Sequence, residues 1–559
     1  MTCAALNPMP SAAAFRRSAA EVMDLRRIGC AHPTRLSFLR SLLRRVQSEG
    51  WQFDRPVWQI DAKGVGRAVY RAIGRHRTYS LVAFAHDLPD DMRSDRVIAT
   101  AWDATFTLHD GDPTTADIDR LEANVPLQEA GRVTPRELTL SRANRSVRLF
   151  AHVVDRLATG LQPDDAEVNA VGYLMRTTAV YGAGKFGAAD RSAIADRDEV
   201  GGPFQAEMLT VWLIRQFTVD IVEHLAALRG GDKAVTLDPA IRRRLGVGNS
   251  TGLGMAPFLV RHPMLLNNWV MAREEALARV RAQTGAAEQA LHGLKLALTE
   301  ATQNAAVWTT AHPIQIEKLA DLRADLARIA QRLLIWPAHQ DTHPWDALWR
   351  WGAEVLSLEG QEALLSLMLE PHGDLIDGLA DCMTANEASG FVIDGAMTIE
   401  QVRNILVDSY AWALKINFAL PENIARFWYV SEEKLEPRLG NRFTEDGAEL
   451  EQPLCIARLV ADLNDSLAGL PADQAIAGFL LEHPEHRFTL RRIQIAARHP
   501  FAEVRANLID KDMLPIDLMR CKLAFFGASR FDPRSDKWVR ISLFQGEPYP
   551  TELMMADAT

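Results

Sequence analysis

Apolar residues recur along most of this chain at helical spacing. Leu36, Leu39, Leu42, Leu43 and Val46 keep the 3.6-residue period, with Thr34 placed to cap the helix and Gly50 to stop it. Between residues 51 and 110 the pattern changes. Residues 57–60, 79–84, 97–102 and 105–108 are short β-branched and aromatic runs separated by charged or glycine-containing turns. They predict a small, mostly antiparallel sheet that can also carry a helix at 64–73.

From Asp112 onward the spacing reads as helical. Pro113 stands at a first helical position, and Pro135 opens a helix through Leu138, Leu140, Val147, Phe150 and Val153. Another begins at Pro163 and continues through Val168, Val171, Leu174 and Ala179. Residues 204–228 are apolar nearly all round, which predicts a long, central helix. Further periodic stretches cover 263–283, 284–303, 313–334, 345–370, 398–416, 452–467 and 486–497, and 538–544 reads as extended. No repeat of 20–50 residues argues for a solenoid. The predicted fold class is mostly α: a large helical core with a small, mostly antiparallel β-sheet near the N-terminus. Its expected divisions are a basic helical arm (1–50), a β-rich unit (51–112), a central helical domain (113–335) and a C-terminal helical domain (336–559).

Composition narrows the function classes. In 559 residues the hydrophobic share is 48% and the charged share 24%, ordinary values for a globular chain. The net charge of −10 has the wrong sign for a nucleic-acid binder, so no nucleic-acid partner is expected. Residues 1–50 differ: Arg16, Arg17, Arg26, Arg27, Arg35, Arg40, Arg44 and Arg45 face only Glu21, Asp24 and Glu49, a net +5. An arm docked on the acidic remainder is the expected reading, and an RNA or anionic-lipid contact is the alternative. No run of 18 apolar residues predicts a membrane span, and the first 25 residues lack the apolar core of a secretory signal. Cys3, Cys30, Cys382, Cys455 and Cys521 are odd in number and widely spaced, which predicts free thiols and a cytoplasmic setting.

Two glycine-rich strings are the candidate chemistry. Residues 182–187 read Gly-Ala-Gly-Lys-Phe-Gly, a G-x-G-x-x-G form. It resembles the dinucleotide-binding fingerprint and, with its phenylalanine, the glycine-rich loop of protein kinases. The kinase resemblance stops at six residues, since no V-A-I-K, H-R-D or D-F-G follows. For a dinucleotide fold the residues before it read as helical and no second strand with its acidic residue follows. What remains is three glycines that let backbone amides approach a ligand, with Lys185 as a cation beside them; the alternative is a helix end and a tight connection.

The second string, residues 246–254, holds four glycines around Asn249, Ser250 and Thr251, after a short helix opened by Asp238 and Pro239. Read as a polar loop ending at His262 and Pro263, it would present amide dipoles to phosphate or carboxylate, bracketed by Arg242, Arg243, Arg244 and Arg261. The expected substrate-binding residues are Gly248, Asn249, Ser250, Thr251, Gly252, Arg244 and Arg261. If the two strings share one site, Lys185, Tyr181, His262 and Glu207 supply the proton-transfer groups.

His339, Asp341 and His343 do not make a convincing metal site, because Pro337 and Pro344 break the helix and no fourth ligand is evident. Trp345 and Trp349 stand four residues apart, as core packing does. Arg426 to Arg442 reads as a salt-bridged segment. No metal and no cofactor is expected. The expectation is an enzyme of small-molecule metabolism with lyase, isomerase or hydrolase chemistry on an anionic small-molecule substrate, in which self-association is open through Leu- and Trp-bearing helical faces. The alternative is a non-catalytic interaction or regulatory protein whose glycine-rich segments are hinges.

Overall fold

The computed structural model describes residues 12–89, 101–127, 131–177, 194, 196–202, 204–252, 263–338, 341–383, 391–420, 423, 429–430, 452–453, 456–506, 515–533 and 538–556. Contacts divide the chain into two compact units. One comprises residues 37–251, 307–311 and 526–559; the other comprises 1–36, 252–306 and 312–525. The fold is mostly helical with a mixed, mostly antiparallel sheet, as the spacing predicts.

The sheet organises the first unit. Its strands are β1 Gln52–Ile60, β2 Gly66–Ile73, β3 Thr78–Ala85, β4 Ala104–Asp110, β5 Glu137–Arg145, β6 Tyr173–Thr177, β7 Gly246–Gly252, β8 Arg530–Pro533 and β9 Trp538–Leu543. They lie in the order β1-β2-β3-β4-β5-β6-β7-β9-β8. Neighbours from β1 to β6 are antiparallel, whereas β6 and β7 are parallel. The unit's longer helices among the described residues are α1 Phe38–Ser48, α2 Thr115–Asn124, α3 Leu149–Ala158 and α4 Gln205–Gly230.

Both faces of the central strands are buried. Val69, Val82, Phe84 and Leu140 pack against Ile118 and Leu121 of α2 and Val125 just past it. On the other face Phe106 meets Phe217 of α4 edge-on at 5.4 Å, and Thr139 and Thr210 share a hydrogen bond of 2.8 Å. As its composition predicts, α4 is buried over most of its surface. A Thr114–Asp117 capping box starts α2.

Several elements differ from the sequence expectation. Residues 64–73 are strand β2, not a helix. Leu138 and Leu140 lie on β5, and the helix expected from Pro135 begins only at Leu149; the two leucines alternate at period two and pack on α2. The helix expected through Leu174 stops at Val171, where left-handed Gly172 turns the chain into β6. Ser37, not Thr34, precedes α1; Thr34 Oγ1 instead accepts from the Leu36 amide. Most of the run expected at 97–102 lies outside the described residues.

Helices build the second unit: α5 Pro263–Arg281, α6 Glu288–Val307, α7 Pro313–Ile335, α8 Pro344–Val355, α9 Leu358–Leu369, α10 Ile399–Leu414, α11 Ile456–Ser466, α12 Arg487–Arg498 and α13 Pro515–Phe526. Val402, Leu406, Tyr410, Val460, Leu463, Leu490 and Ile493 make one apolar core where α10, α11 and α12 meet. Elsewhere the interior is ionic. Arg17 donates to Glu274 on α5 at 2.7 and 2.8 Å and to Glu362 on α9 at 2.7 Å, and Arg35 pairs with Asp377 at 2.7 Å. These arginines dock the N-terminal segment on carboxylates of its own unit, the intramolecular pairing its charge suggests. Cys30 and Cys521 are free thiols, whereas Cys382 is disulfide-bonded, which corrects the expectation of free thiols throughout. Among the described residues no helix is long and apolar enough to cross a membrane.

Candidate functional site

The candidate site lies at the parallel pair β6–β7. Chain order here is β6, then α4, then β7, so the chain returns to the sheet alongside the strand it left. In open sheets of this kind ligands bind outside the carboxyl ends of parallel strands. The 182–187 string starts five residues past Thr177, the last residue of β6, and Asn249, Ser250 and Thr251 lie near the end of β7. Residues 182–187 themselves lie outside the described residues. The helical reading of 163–181 concealed β6, the strand that precedes the first string.

The second string is not the loop its composition suggests. Residues 246–252 form β7, between β6 and β9, and Gly246 to Asn249 are buried. Two of its glycines have a packing reason. A Cβ on Gly248 would stand 2.5 Å from the Tyr173 ring, and one on Gly246 would stand 2.4 Å from Ser542 Oγ. Part of the backbone is thus engaged in the sheet. Asn249 stands apart: it is 1% exposed and its side-chain Nδ2 has no hydrogen-bond partner among the described residues. A buried, unsatisfied amide costs about 1–3 kcal/mol, so it demands an occupant or a reason.

Glu207 reaches the same end of the sheet. Because β5 runs antiparallel to β6, Thr139 near the start of β5 lies on the side toward which β6 runs. Thr139 bonds Thr210 of α4, and Glu207 sits one turn earlier on that helix, fully buried. The first intrahelical bond of α4 runs from the Met208 amide to the Phe204 carbonyl, and no side chain of Phe204 caps the amides that precede it. Phe204 itself holds a left-handed backbone at φ 57°, uncommon for a bulky residue, while its ring packs on Phe38 and Phe526 at 5.1 and 4.7 Å.

Two cations missed by sequence reasoning lie on adjoining strands. Arg176 of β6 pairs across the ladder with Asn144 of β5, so it shares a face with Arg142 two residues back. The Arg142 guanidinium lies over the Trp102 ring at 3.9 Å. The signal that would have found them is period-two alternation in β5 and β6. Arg244, expected at the site, pairs with Asp165 and donates to Asn169 Oδ1 at 3.3 Å. The side chains of Ser250 and Thr251, and all of Tyr181, Lys185, Arg261 and His262, lie outside the described residues, as do His339 and most of 426–442. Among the described residues no group of three metal-ligating side chains occurs.

An open cleft of about 660 Å³ lies in the helical unit, lined by Trp345, Gln283, His372, Asp374 and the start of α6. His372 Nδ1 donates to the Met368 carbonyl at 2.8 Å, which leaves Nε2 as the proton-accepting nitrogen. Burial lowers its pKa. The Pro371-His-Gly-Asp374 turn after α9 is the sequence signal for it. Trp345 and Trp349 are both buried, the packing role their spacing predicts.

Comparison of the chain with protein-family models, with curated proteins and with solved structures gave no match.

Proposed function

We propose that this protein binds a small phosphate- or carboxylate-bearing molecule at the carboxyl ends of β6 and β7 and moves a proton on it. The observation that carries the reading is the parallel pairing of β6 with β7: the second glycine-rich string is β7 itself, and the first follows β6 in sequence. Supporting it are the Asn249 Nδ2, without a partner among the described residues, and Arg142 and Arg176 on the adjoining face. Lys185, eight residues past Thr177, is the cation the first string supplies, and Glu207 and Tyr181 are the proton-transfer groups of the same unit. The reaction class is lyase, isomerase or hydrolase.

Thermal unfolding against inorganic phosphate, pyrophosphate, citrate and glucose 6-phosphate tests the reading. At 100 times its Kd a ligand stabilises by about 2.7 kcal/mol. A rise with at least one of these anions, absent with an uncharged sugar, is expected; no rise with any of them overturns it.

A second reading rests on a different observation. The chain passes from one unit to the other between Thr251 and Gly252, inside the second glycine-rich string. On that reading the glycines serve the connection, and the protein is a non-catalytic interaction or regulatory module.

A further inference from the structure

Within the helical unit there is a second, much smaller cavity, unrelated to the β6–β7 site. It has about 10 Å³ of free volume, room for one small occupant. Arg27, His32, Thr34 and Arg273 line it, with apolar walls that include Val270 and Phe525; no carboxylate does. The arginines here are held by Glu362, which receives Arg17 and Arg27 at 2.7 and 3.0 Å and also Arg273. Glu274 takes Arg17 at 2.7 Å and Arg273 at 3.5 Å. Three guanidiniums thus share two fully buried carboxylates. Glu21 also pairs with Arg27, at 3.5 Å, its own side chain 43% exposed.

One donor of this group is unspent. Arg273 is 7% exposed, and its Nε has no acceptor among the described residues although both terminal nitrogens are engaged. Thr34 Oγ1 accepts from the Leu36 amide, which leaves its O–H free to donate. A cavity lined by the Arg27 and Arg273 guanidiniums and by no carboxylate, with the Arg273 Nε–H unspent, calls for a negative occupant. Its volume excludes phosphate or an organic acid.

We infer that this cavity is a binding site for a single halide-sized monovalent anion, held by Arg273 and Arg27. The anion takes the Arg273 Nε–H.

Crystals of the full chain grown in sodium bromide test this directly. An anomalous bromine peak within hydrogen-bond distance of Arg273 Nε is expected. Density there without anomalous signal, as water gives, or no density at all, overturns the inference. In solution the melting temperature is expected to climb with sodium chloride relative to sodium gluconate at equal ionic strength, and this difference is expected to vanish in Arg273→Gln. Equal melting temperatures in the two salts for the unmodified protein overturn it. Should Arg273→Gln fail to fold, the bromide map of the unmodified chain still decides.

Discussion

Arg17 Nη1 donates to Glu362 Oε1 at 2.7 Å across 345 positions of sequence. Arg17 also forks onto Glu274, and all three side chains are buried. The contact makes the N-terminal segment part of the interior of the helical unit rather than an appendage. Burial opposes the charge on Arg17, and the two carboxylates outweigh it and raise its pKa. Arg17→Met leaves buried Glu274 with only the 3.5 Å contact to Arg273 and takes one of three guanidiniums from Glu362, so a loss of about 3–5 kcal/mol is expected in urea unfolding. A loss below about 1 kcal/mol would mean that the pairing is incidental.

Acid weakens this unit in a defined order. Burial alone would raise the pKa of Glu359, yet Arg520 and His32 hold it at about 2, against an ordinary 4.5. Glu362, among Arg17, Arg273 and Arg27, lies lower still despite its burial. Carboxylates depressed in the folded state contribute stability above their unfolded pKa and lose it as pH falls through the folded value. His32, lowered mainly by burial, works in the same direction, since it takes up a proton more readily when unfolded. Urea midpoints are therefore expected to fall as pH drops below about 6.5, and more steeply from about 4.5 toward 2. Glu359→Gln is expected to flatten the lower limb only; an unchanged slope there would contradict the assignment.

Lys522 is a separate pH probe. Burial brings its pKa down to about 7 from 10.5. Between those values the unfolded chain holds the proton that the folded chain has released, so stability is expected to rise with pH across that window. Lys522→Met removes the dependence and is expected to melt higher than the unmodified protein at pH 7, with the gap closing by pH 10. A constant gap would place the cause in packing instead.

Gly248 tests the packing of β7. Its missing side chain leaves the space filled by the Tyr173 ring. Gly248→Ala is expected to cost about 1–3 kcal/mol, the usual range for overpacking. Tyr173→Leu in the same chain is expected to recover part of that loss; additivity of the two substitutions in a double-mutant cycle would contradict the contact.

The parts of the fold that depend on local spacing are legible in the sequence. The unbroken apolar run of α4, the strands β1, β3 and β4, and the short helix capped by Asp238 all occur where periodicity and capping put them. What the sequence hides is non-local. Leu138 and Leu140 fit a helix after Pro135 as well as a strand, and only the partner strands β4 and β6 decide between them. The glycines of β7 read as a loop because the residues that fill the space at Gly248 and Gly246, Tyr173 and Ser542, lie far away in sequence. With β5 and β6 taken as helices, the common face of Arg142 and Arg176 has no expression in the sequence. Asn249 was visible as a polar residue among glycines, but its unsatisfied amide is a property of burial alone.

Calorimetric titration of the anion that best stabilises the protein, with Asn249→Leu and Lys185→Gln beside the unmodified chain, tests the β6–β7 site most directly. Asn249→Leu removes a buried amide nitrogen that has no partner among the described residues, so its stability without ligand should equal or exceed that of the unmodified chain. The account predicts saturable binding by the unmodified protein, at least about tenfold weaker in each variant, equivalent to roughly 1.4 kcal/mol. Equal affinity in all three proteins would contradict it.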